Sequence, residues 1–174
     1  MEITDLFSGG YLNAVDAKGR VSLPSQFRSR IAARAKKAAL AGNEIENPKL
    51  LRVARHERYT ALEAYDDTYM VQRLKELEAR VAAMPDDVDK YEMLEDLRFD
   101  ALGATSEVTY DDAGRMVLSQ GLRQAAGITD LAYFMGGGLS IQIWDPRRLM
   151  EERANSPRVI AALQSALADK GIRL

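Results

Sequence analysis

The chain of 174 residues contains no cysteine and only one histidine, His56. Disulfide bonds and thiolate metal sites are therefore excluded, and a site with several histidine ligands cannot form. No apolar run approaches the roughly 20 residues that a membrane-spanning helix needs. The N-terminal residues are acidic where a signal peptide would be basic. These absences predict a cytoplasmic protein without a metal, a cofactor or a membrane partner.

Motifs for catalysis are also missing. The chain has no Gly-x-Ser-x-Gly motif that would present a nucleophilic serine, and His56 lies where a strand is expected to turn into a helix. Three glycines at 136–138 are not followed by the Lys-Ser or Lys-Thr of a phosphate-binding loop, so they predict a hairpin loop instead. The acidic residues of one predicted helix are spread around it, and no second cluster of ligands supports a metal site. We therefore do not expect an enzyme.

The charges that are present are unevenly distributed. Hydrophobic residues make up 47% of the chain, which is ordinary for a packed core, and the formal net charge is only −2. Yet residues 17–43 contain no acid and seven cations, whereas residues 86–112 are strongly acidic. This separation is typical of a protein that binds a polyanion on one surface. Two solvated faces of opposite charge would give the same pattern.

A segment of the chain occurs twice, with a constant offset of 95 residues. Each copy places an aspartate four residues before an arginine, with a glycine between them: Asp16, Gly19 and Arg20, then Asp111, Gly114 and Arg115. Between apolar residues this spacing predicts a hairpin turn, in which aspartate caps free N–H groups and glycine adopts a positive φ. Turn formation does not require the arginines or Lys18. Either they have a function or the turns carry incidental cations.

The repeat organises the predicted secondary structure. Each half is expected to contain a strand, the turn, a returning strand, a helix and a further hairpin. The offset predicts a strand at 37–41 against its helical propensity. After a polar turn at 42–49 that is longer than its counterpart at 136–138, the strand at 50–54 matches that at 139–144. Two helices at 59–84 and 86–102 are expected to join the halves. The resulting division is residues 7–54 for the first repeat, 55–103 for the helical hairpin, 104–150 for the second repeat and 151–174 for the C-terminal tail.

Local signals predict several helix ends. Asp86 or Asp87 is a candidate cap of the second linking helix, with Gly103 at its end. Ser119 can cap a short helix that ends at Gly127, and Asp145 with the following proline predicts another helix start. A last helix is expected at 157–169. We expect its apolar stripe and the exposed sheet edges to contact other subunits.

These residues together resemble a known family. The stretch from Leu6 to Pro24, which contains Val15-Asp16-Ala17-Lys18-Gly19-Arg20, the second turn at 111–115 and the strand end Ile143-Trp144-Asp145 are similar to the MraZ family of bacterial transcriptional regulators. The resemblance covers roughly residues 7–150. It implies an α+β fold, namely an AbrB-like double-split β-barrel built from the two repeats, and a ring of identical subunits such as an octamer.

The resemblance also implies a function. Members bind double-stranded DNA sequence-specifically at promoter repeats upstream of the division and cell-wall gene cluster, including their own gene, which implies a nucleoid-associated protein. Carried over by position, DNA contacts fall on Lys18, Arg20 and Arg115, while Asp16 and Asp111 shape the turns together with Gly19 and Gly114. Ala113 replaces the lysine in the second turn and Asp112 adds an acid, which implies a weaker phosphate contact there. From the residues alone, an oligomeric scaffold that binds acidic proteins remains the alternative.

Overall fold

The computed structural model describes residues 5–174, which adopt an α+β fold with one six-stranded sheet and a separate two-stranded ribbon. The strands are β1 (Gly10–Ala14), β2 (Arg20–Ser22), β3 (Leu50–Arg55), β4 (Leu62–Asp66), β5 (Ser106–Thr109), β6 (Arg115–Val117), β7 (Leu131–Gly136) and β8 (Ile141–Trp144). The helices are α1 (Ser25–Leu40), α2 (Asp67–Ala82), α3 (Lys90–Arg98), α4 (Gln120–Ala126), α5 (Pro146–Glu152) and α6 (Pro157–Asp169), and a π-helical segment, Phe99–Gly103, continues α3. The α+β class expected from the sequence is confirmed.

The two repeats exchange strands. In the sheet, whose order is β1-β7-β8-β4-β3-β5, β1 of the first repeat pairs with β7 of the second, and β5 of the second pairs with β3 of the first. The strands β4 and β8 pair with each other, and so do β2 and β6. All of these pairs are antiparallel. Each repeat therefore completes the other.

The expectation of a simple hairpin at each Asp-x-x-x-Arg turn is wrong. The first turn connects β1 to β2, but β1 pairs with β7 while β2 pairs with β6. The second turn likewise connects β5 to β6, whose partners are β3 and β2. The local sequence specifies the reversal of the chain. It does not specify the hydrogen-bonding partner, because any strand with a matching apolar face can pair.

The predicted strand at 37–41 is also wrong. Residues 25–40 form the continuous helix α1, which is rich in alanine, lysine and arginine and therefore has high helix propensity. This helix has 16 residues, whereas α4 in the second repeat has 7. Because α1 is longer than α4, the two repeats no longer match at the constant offset after these helices. In order along the chain, β3 corresponds to β7 and not to the strand expected at 139–144.

The helical linker begins later than expected. Residues 62–66, assigned to a helix from the sequence, form β4, which lies between β3 and β8 in the sheet. Asp66 then caps α2 by accepting a hydrogen bond from the Tyr69 backbone N–H at 2.9 Å. The second linking helix, α3, is capped by Asp89 rather than by Asp86 or Asp87. Gly103 ends the π-helical segment, as the sequence predicted for the end of this helix.

The other helix ends agree with the sequence. Ser119 Oγ caps α4 by accepting from the Leu122 N–H at 3.3 Å, and Gly127 ends this helix in the left-handed conformation. Asp145 caps α5, and α6 spans the predicted 157–169. Leu163 and Leu167 of the α6 stripe are buried within the chain itself. This part of the stripe therefore packs on the protein's own sheet.

The sheet is covered on both faces. One hydrophobic cluster contains Phe27 and Ile31 of α1 together with Phe134 of the sheet, and it joins residues of both repeats. A second cluster contains Tyr133 and Trp144 on the opposite face, beneath α5 and α6. Successive residues of a strand point to opposite faces, which explains why neighbours in β7 belong to different clusters. Among the described helices, none is long and apolar enough to cross a membrane.

Candidate functional site

The first turn, residues 16–20, is built around the carboxylate of Asp16. Its Oδ1 accepts hydrogen bonds from the backbone N–H groups of Lys18 (3.0 Å) and Arg20 (2.9 Å). Its Oδ2 accepts from Nε of Arg20 at 2.5 Å. The Gly19 N–H closes the turn on the Asp16 carbonyl at 2.9 Å. The aspartate thus shapes the backbone and holds the arginine side chain at the same time.

The second turn, residues 111–115, repeats this geometry. Asp111 Oδ1 accepts from the backbone N–H groups of Ala113 (3.0 Å) and Arg115 (2.9 Å), and Oδ2 accepts from Arg115 Nε at 2.7 Å. Gly114 N–H donates to the Asp111 carbonyl at 2.8 Å. The sequence repeat is therefore a repeat of side-chain chemistry as well as of backbone shape.

The same contacts keep both carboxylates ionised. The hydrogen bond from the Arg20 side chain is the main cause that lowers the pKa of Asp16 below its ordinary 3.8. For Asp111 the backbone N–H of Arg115 contributes most, followed by the Arg115 side chain, and the pKa is again lowered. Hydrogen bonds to a charged form favour that form. Both ion pairs are consequently intact at neutral pH.

The two arginines lie on one face of the β2–β6 ribbon. In its register Arg20 is opposite Val117, Val21 opposite Met116, and Ser22 opposite Arg115. The central pair is buried and the flanking residues are exposed. Arg20 and Arg115 are therefore diagonal neighbours on the outer face, with side chains that are 64% and 74% exposed. Both ion pairs line the same open groove.

Close packing explains the glycines. Gly19 and Gly114 have φ values of +80° and +83°, a region that side chains disfavour. A Cβ on Gly19 would lie 2.2 Å from the Leu118 carbonyl oxygen, and one on Gly114 would lie 2.9 Å from the Leu23 carbonyl oxygen. Each turn therefore approaches the backbone of the other repeat too closely for a side chain.

The remaining predicted residue, Lys18, is exposed at the tip of the first turn. The second turn has Ala113 at this position. The acid beside the second turn, Asp112, forms an ion pair with Lys49. Its charge is therefore partly balanced by a residue that the sequence did not assign to the site.

Sequence reasoning also missed Arg28 and Arg123. Arg28 donates from Nε to the Leu23 carbonyl and from Nη1 to the Asp112 carbonyl, at 3.2 and 3.0 Å. Arg123 donates from Nε to the Leu118 carbonyl at 3.2 Å. The available signal was their match at the 95-residue offset, which extends the repeat beyond the turns themselves.

His56 lies apart from this groove. It follows β3 and precedes β4, so it occupies a strand-to-strand connection and not the predicted strand-to-helix corner. Its Nδ1 accepts from the Arg58 N–H at 3.1 Å, and its ring lies 5.0 Å from that of Tyr59. The groove that contains Asp16 and Asp111 does not include it. Within residues 5–174, no group of acidic or histidine side chains is arranged to hold a metal ion.

Known proteins are similar to this chain over most of its length. A family model described as "MraZ protein, putative antitoxin-like" matches residues 101–154, which include the second turn. The transcriptional regulator MraZ of Gluconacetobacter diazotrophicus is 32% identical over 167 residues, 91% of this chain and 93% of that protein. The chain belongs to the MraZ family. The MraZ proteins of Rhodospirillum rubrum and Ruegeria pomeroyi are 30% and 31% identical, covering 90% and 84% of this chain and 90% and 81% of their own.

Membership in the MraZ family confirms the resemblance found in the sequence. The relatives are named transcriptional regulators and not enzymes. The prediction that this protein is not an enzyme is confirmed by that membership.

Proposed function

We propose that this MraZ-family protein is a transcriptional regulator that binds double-stranded DNA through its two Asp-x-x-x-Arg turns. The targets are promoter repeats upstream of the division and cell-wall gene cluster, including the promoter of its own gene. The observation that carries the proposal is the presence of Arg20 and Arg115, each oriented by an aspartate, on one exposed face of the β2–β6 ribbon. The names of the relatives support the regulatory role.

A two-stranded ribbon is an element that can bind in a DNA groove. The major groove admits a two-stranded β-ribbon, and an arginine there can bind guanine O6 and N7 with two hydrogen bonds. In both turns aspartate accepts from Nε. Among the contacts of the described residues, no hydrogen bond engages Nη1 or Nη2 of Arg20 or Arg115. These terminal groups are therefore available to a base, and each such pair contributes about 1 to 3 kcal/mol of discrimination.

Lys18 has a different part in the proposal. It lies at the tip of the first turn, and its ammonium group on a flexible stem suits a phosphate better than a base edge. Because Ala113 replaces it in the second turn, the two turns contribute unequally to phosphate binding. The first turn provides the larger share of the affinity.

Assembly completes the proposed mechanism. We propose that the interlocked repeats, residues 7–54 and 104–150 together with β4, form an AbrB-like double-split barrel and that copies of the chain close into a ring. The edge strands β1 and β5 are candidates for contacts between subunits. Several ribbons reading spaced DNA repeats raise the apparent affinity about 10² to 10⁴-fold through effective concentration. A protein with this function acts in the cytoplasm, on the nucleoid.

Substitution of Arg20 tests the proposed base contact of the first turn. In Arg20→Ala, loss of the base contact should lower the affinity for DNA from upstream of the protein's own gene by at least about tenfold, with little effect on scrambled DNA. Fluorescence anisotropy at several salt concentrations measures both affinities. Arg158→Ala, which removes the same charge from the exposed start of α6, should bind like the wild type.

Two outcomes would contradict the proposal. If wild-type protein binds both DNAs equally and weakly, with little dependence on salt, the turns serve a protein scaffold instead, because phosphate contacts must release counterions. If the wild type is specific but Arg20→Ala binds its promoter normally, the first turn is not the reading element.

A further inference from the structure

Arg28 and Arg123 occupy equivalent places in the two repeats, near the start of α1 and of α4. Each of these side chains contacts the turn of the opposite repeat. Arg123 Nε donates to the Leu118 carbonyl, and its guanidinium lies against Gly19 in the opposite repeat, where an added Cβ would be 2.9 Å from Nε. The first turn is thus covered by an arginine from the second repeat.

The reciprocal contact covers the second turn. Arg28 Nε donates to the Leu23 carbonyl, and a Cβ on Gly114 would lie only 2.6 Å from this nitrogen. Its Nη1 also donates to the carbonyl of Asp112, a residue within the second turn, at 3.0 Å. The guanidinium therefore both packs on the turn and binds its backbone.

Backbone hydrogen bonds lie beside each arginine. Leu118 N–H donates to the Gly19 carbonyl at 2.9 Å, and Leu23 N–H donates to the Gly114 carbonyl at 2.8 Å. Leu118 therefore donates its N–H to the first turn and accepts from Arg123 through its carbonyl. Leu23 does the same for the second turn and Arg28. Each turn is fixed along one edge by the backbone of the opposite repeat and over its glycine by that repeat's arginine.

We propose that Arg28 and Arg123 are positioning residues, each of which holds the DNA-contacting turn of the opposite repeat. This inference rests on the proposed function. It adds that each turn is held separately by the opposite repeat: the orientation of Arg20 depends on Arg123, and that of Arg115 depends on Arg28. Turns ordered before binding lose less conformational entropy on contact with DNA. A lysine cannot replace either arginine, because an ammonium lacks the flat, forked donor group.

The test is a pair of charge-preserving substitutions, Arg123→Lys and Arg28→Lys. Without DNA, amide hydrogen exchange measured by NMR should become faster in residues 18–20 of Arg123→Lys and remain unchanged in residues 113–115. Arg28→Lys should show the opposite pattern. An effect confined to the turn of the substituted repeat, equal effects on both turns, or exchange identical to the wild type would each overturn the proposal.

A binding measurement adds the functional readout. Arg123→Lys should weaken binding to promoter DNA about 2- to 10-fold, as expected when the ordering of one or two side chains is lost. The same change should have its full effect in the Arg115→Ala background but a smaller effect in the Arg20→Ala background, where Lys18 is the remaining DNA contact of the first turn. Equal losses in both backgrounds would show that Arg123 does not act through the first turn.

The two measurements separate failure of this proposal from failure of the proposed function. If the wild-type protein does not bind promoter DNA specifically, the proposed function fails, and the crossed pattern of amide exchange still decides whether each arginine holds the opposite turn. If binding is specific but the pattern is not crossed, only the positioning role fails. Arg158→Lys on α6 is the control for a conservative change at an exposed arginine and should match the wild type in both measurements.

Discussion

At the scale of single residues, each aspartate of the site accepts from its turn backbone through one oxygen and from arginine through the other. This division lets one side chain order both the loop and the guanidinium that faces solvent. A carboxylate in this position is useful only while it is charged. The pKa of Asp16 and that of Asp111 are both held below the ordinary 3.8, so neither turn titrates in the physiological range.

Substitution of each arginine tests how far its side chain lowers the pKa of the aspartate in the same turn. Arg20→Gln should raise the pKa of Asp16 towards 3.8, because the Arg20 side chain is the main cause of its lowering. Arg115→Gln should raise the pKa of Asp111 less, since the backbone N–H of residue 115 remains. NMR titration of the carboxyl carbons measures both values, and the unsubstituted turn is the internal control in each variant.

The lowered pKa values of Asp16 and Asp111 make the turns less stable in acid. A carboxylate with a lowered pKa stabilises the folded state at pH values above its unfolded pKa, and this stabilisation is lost as the pH falls through the folded pKa. The turns should therefore open only below about pH 4. A pKa of Asp16 that stays equally low in Arg20→Gln would show that the side-chain ion pair does not set it.

At the scale of elements, α1 is tied to the start of α2 by a buried ion pair. Arg34 Nη1 lies 3.0 Å from Asp66 Oδ2, and both side chains are only 4% exposed. The contact is ionic without hydrogen-bond geometry, since Oδ2 has no hydrogen-bond donor among the described residues. Arg34 also stacks on the Phe7 ring at 4.9 Å. Burial raises the pKa of Asp66, while Arg34 opposes that rise.

Removal of the Arg34 cation should destabilise the folded state. Arg34→Met should lower the free energy of unfolding by about 3 to 5 kcal/mol, because it leaves a buried carboxylate without its partner. Urea denaturation at pH 7 measures this loss. Arg30→Met on the same helix, where the side chain is partly exposed, should change stability by less than about 1 kcal/mol.

The pH dependence of this variant has the opposite sign from that of the turns. A group with a raised pKa contributes stability that is present at low pH and is lost as the pH rises through its folded value. The deficit of Arg34→Met should therefore shrink at acidic pH, and Asp66→Asn should recover part of it. An equal deficit at every pH would mean that packing, and not charge, accounts for the loss.

At the scale of the whole molecule, strand exchange makes the repeats depend on each other. Among the described strands, β1 and β5 each pair with a strand of the other repeat and with no strand of their own, and the main hydrophobic cluster combines side chains from both. A repeat in isolation would expose the apolar faces of β3 or β7, whose core residues are almost completely buried in the intact chain. Neither repeat is expected to be stable alone.

Division of the chain tests this dependence. Residues 1–103 and 104–174, produced separately, should lack a cooperative thermal unfolding transition, because each lacks the strands that complete its sheet. When mixed, the fragments should recover the transition and the far-UV circular dichroism of the intact chain. A cooperative transition in either monomeric fragment would show that the repeats fold independently.

Much of this protein could be predicted from the sequence because many of its signals are local. The caps at Ser119 and Asp145 and the glycines of the two turns act on neighbours within four residues, so composition and spacing are enough to locate them. The strand expected at 37–41 was inferred from the repeat and not from its own residues, and there local helix propensity prevailed.

The sequence by itself determined the two turns, their arginines, most helix ends and the family to which the chain belongs. Only the tertiary structure decided that β1 and β2 have different partners, that Arg20 and Arg115 share one face, and that Arg28 and Arg123 reach across the repeats. The physical reason is distance along the chain. Alternating apolar residues show that a strand has a buried face, but they do not specify which of several similar strands, about 100 residues away, will pair with it.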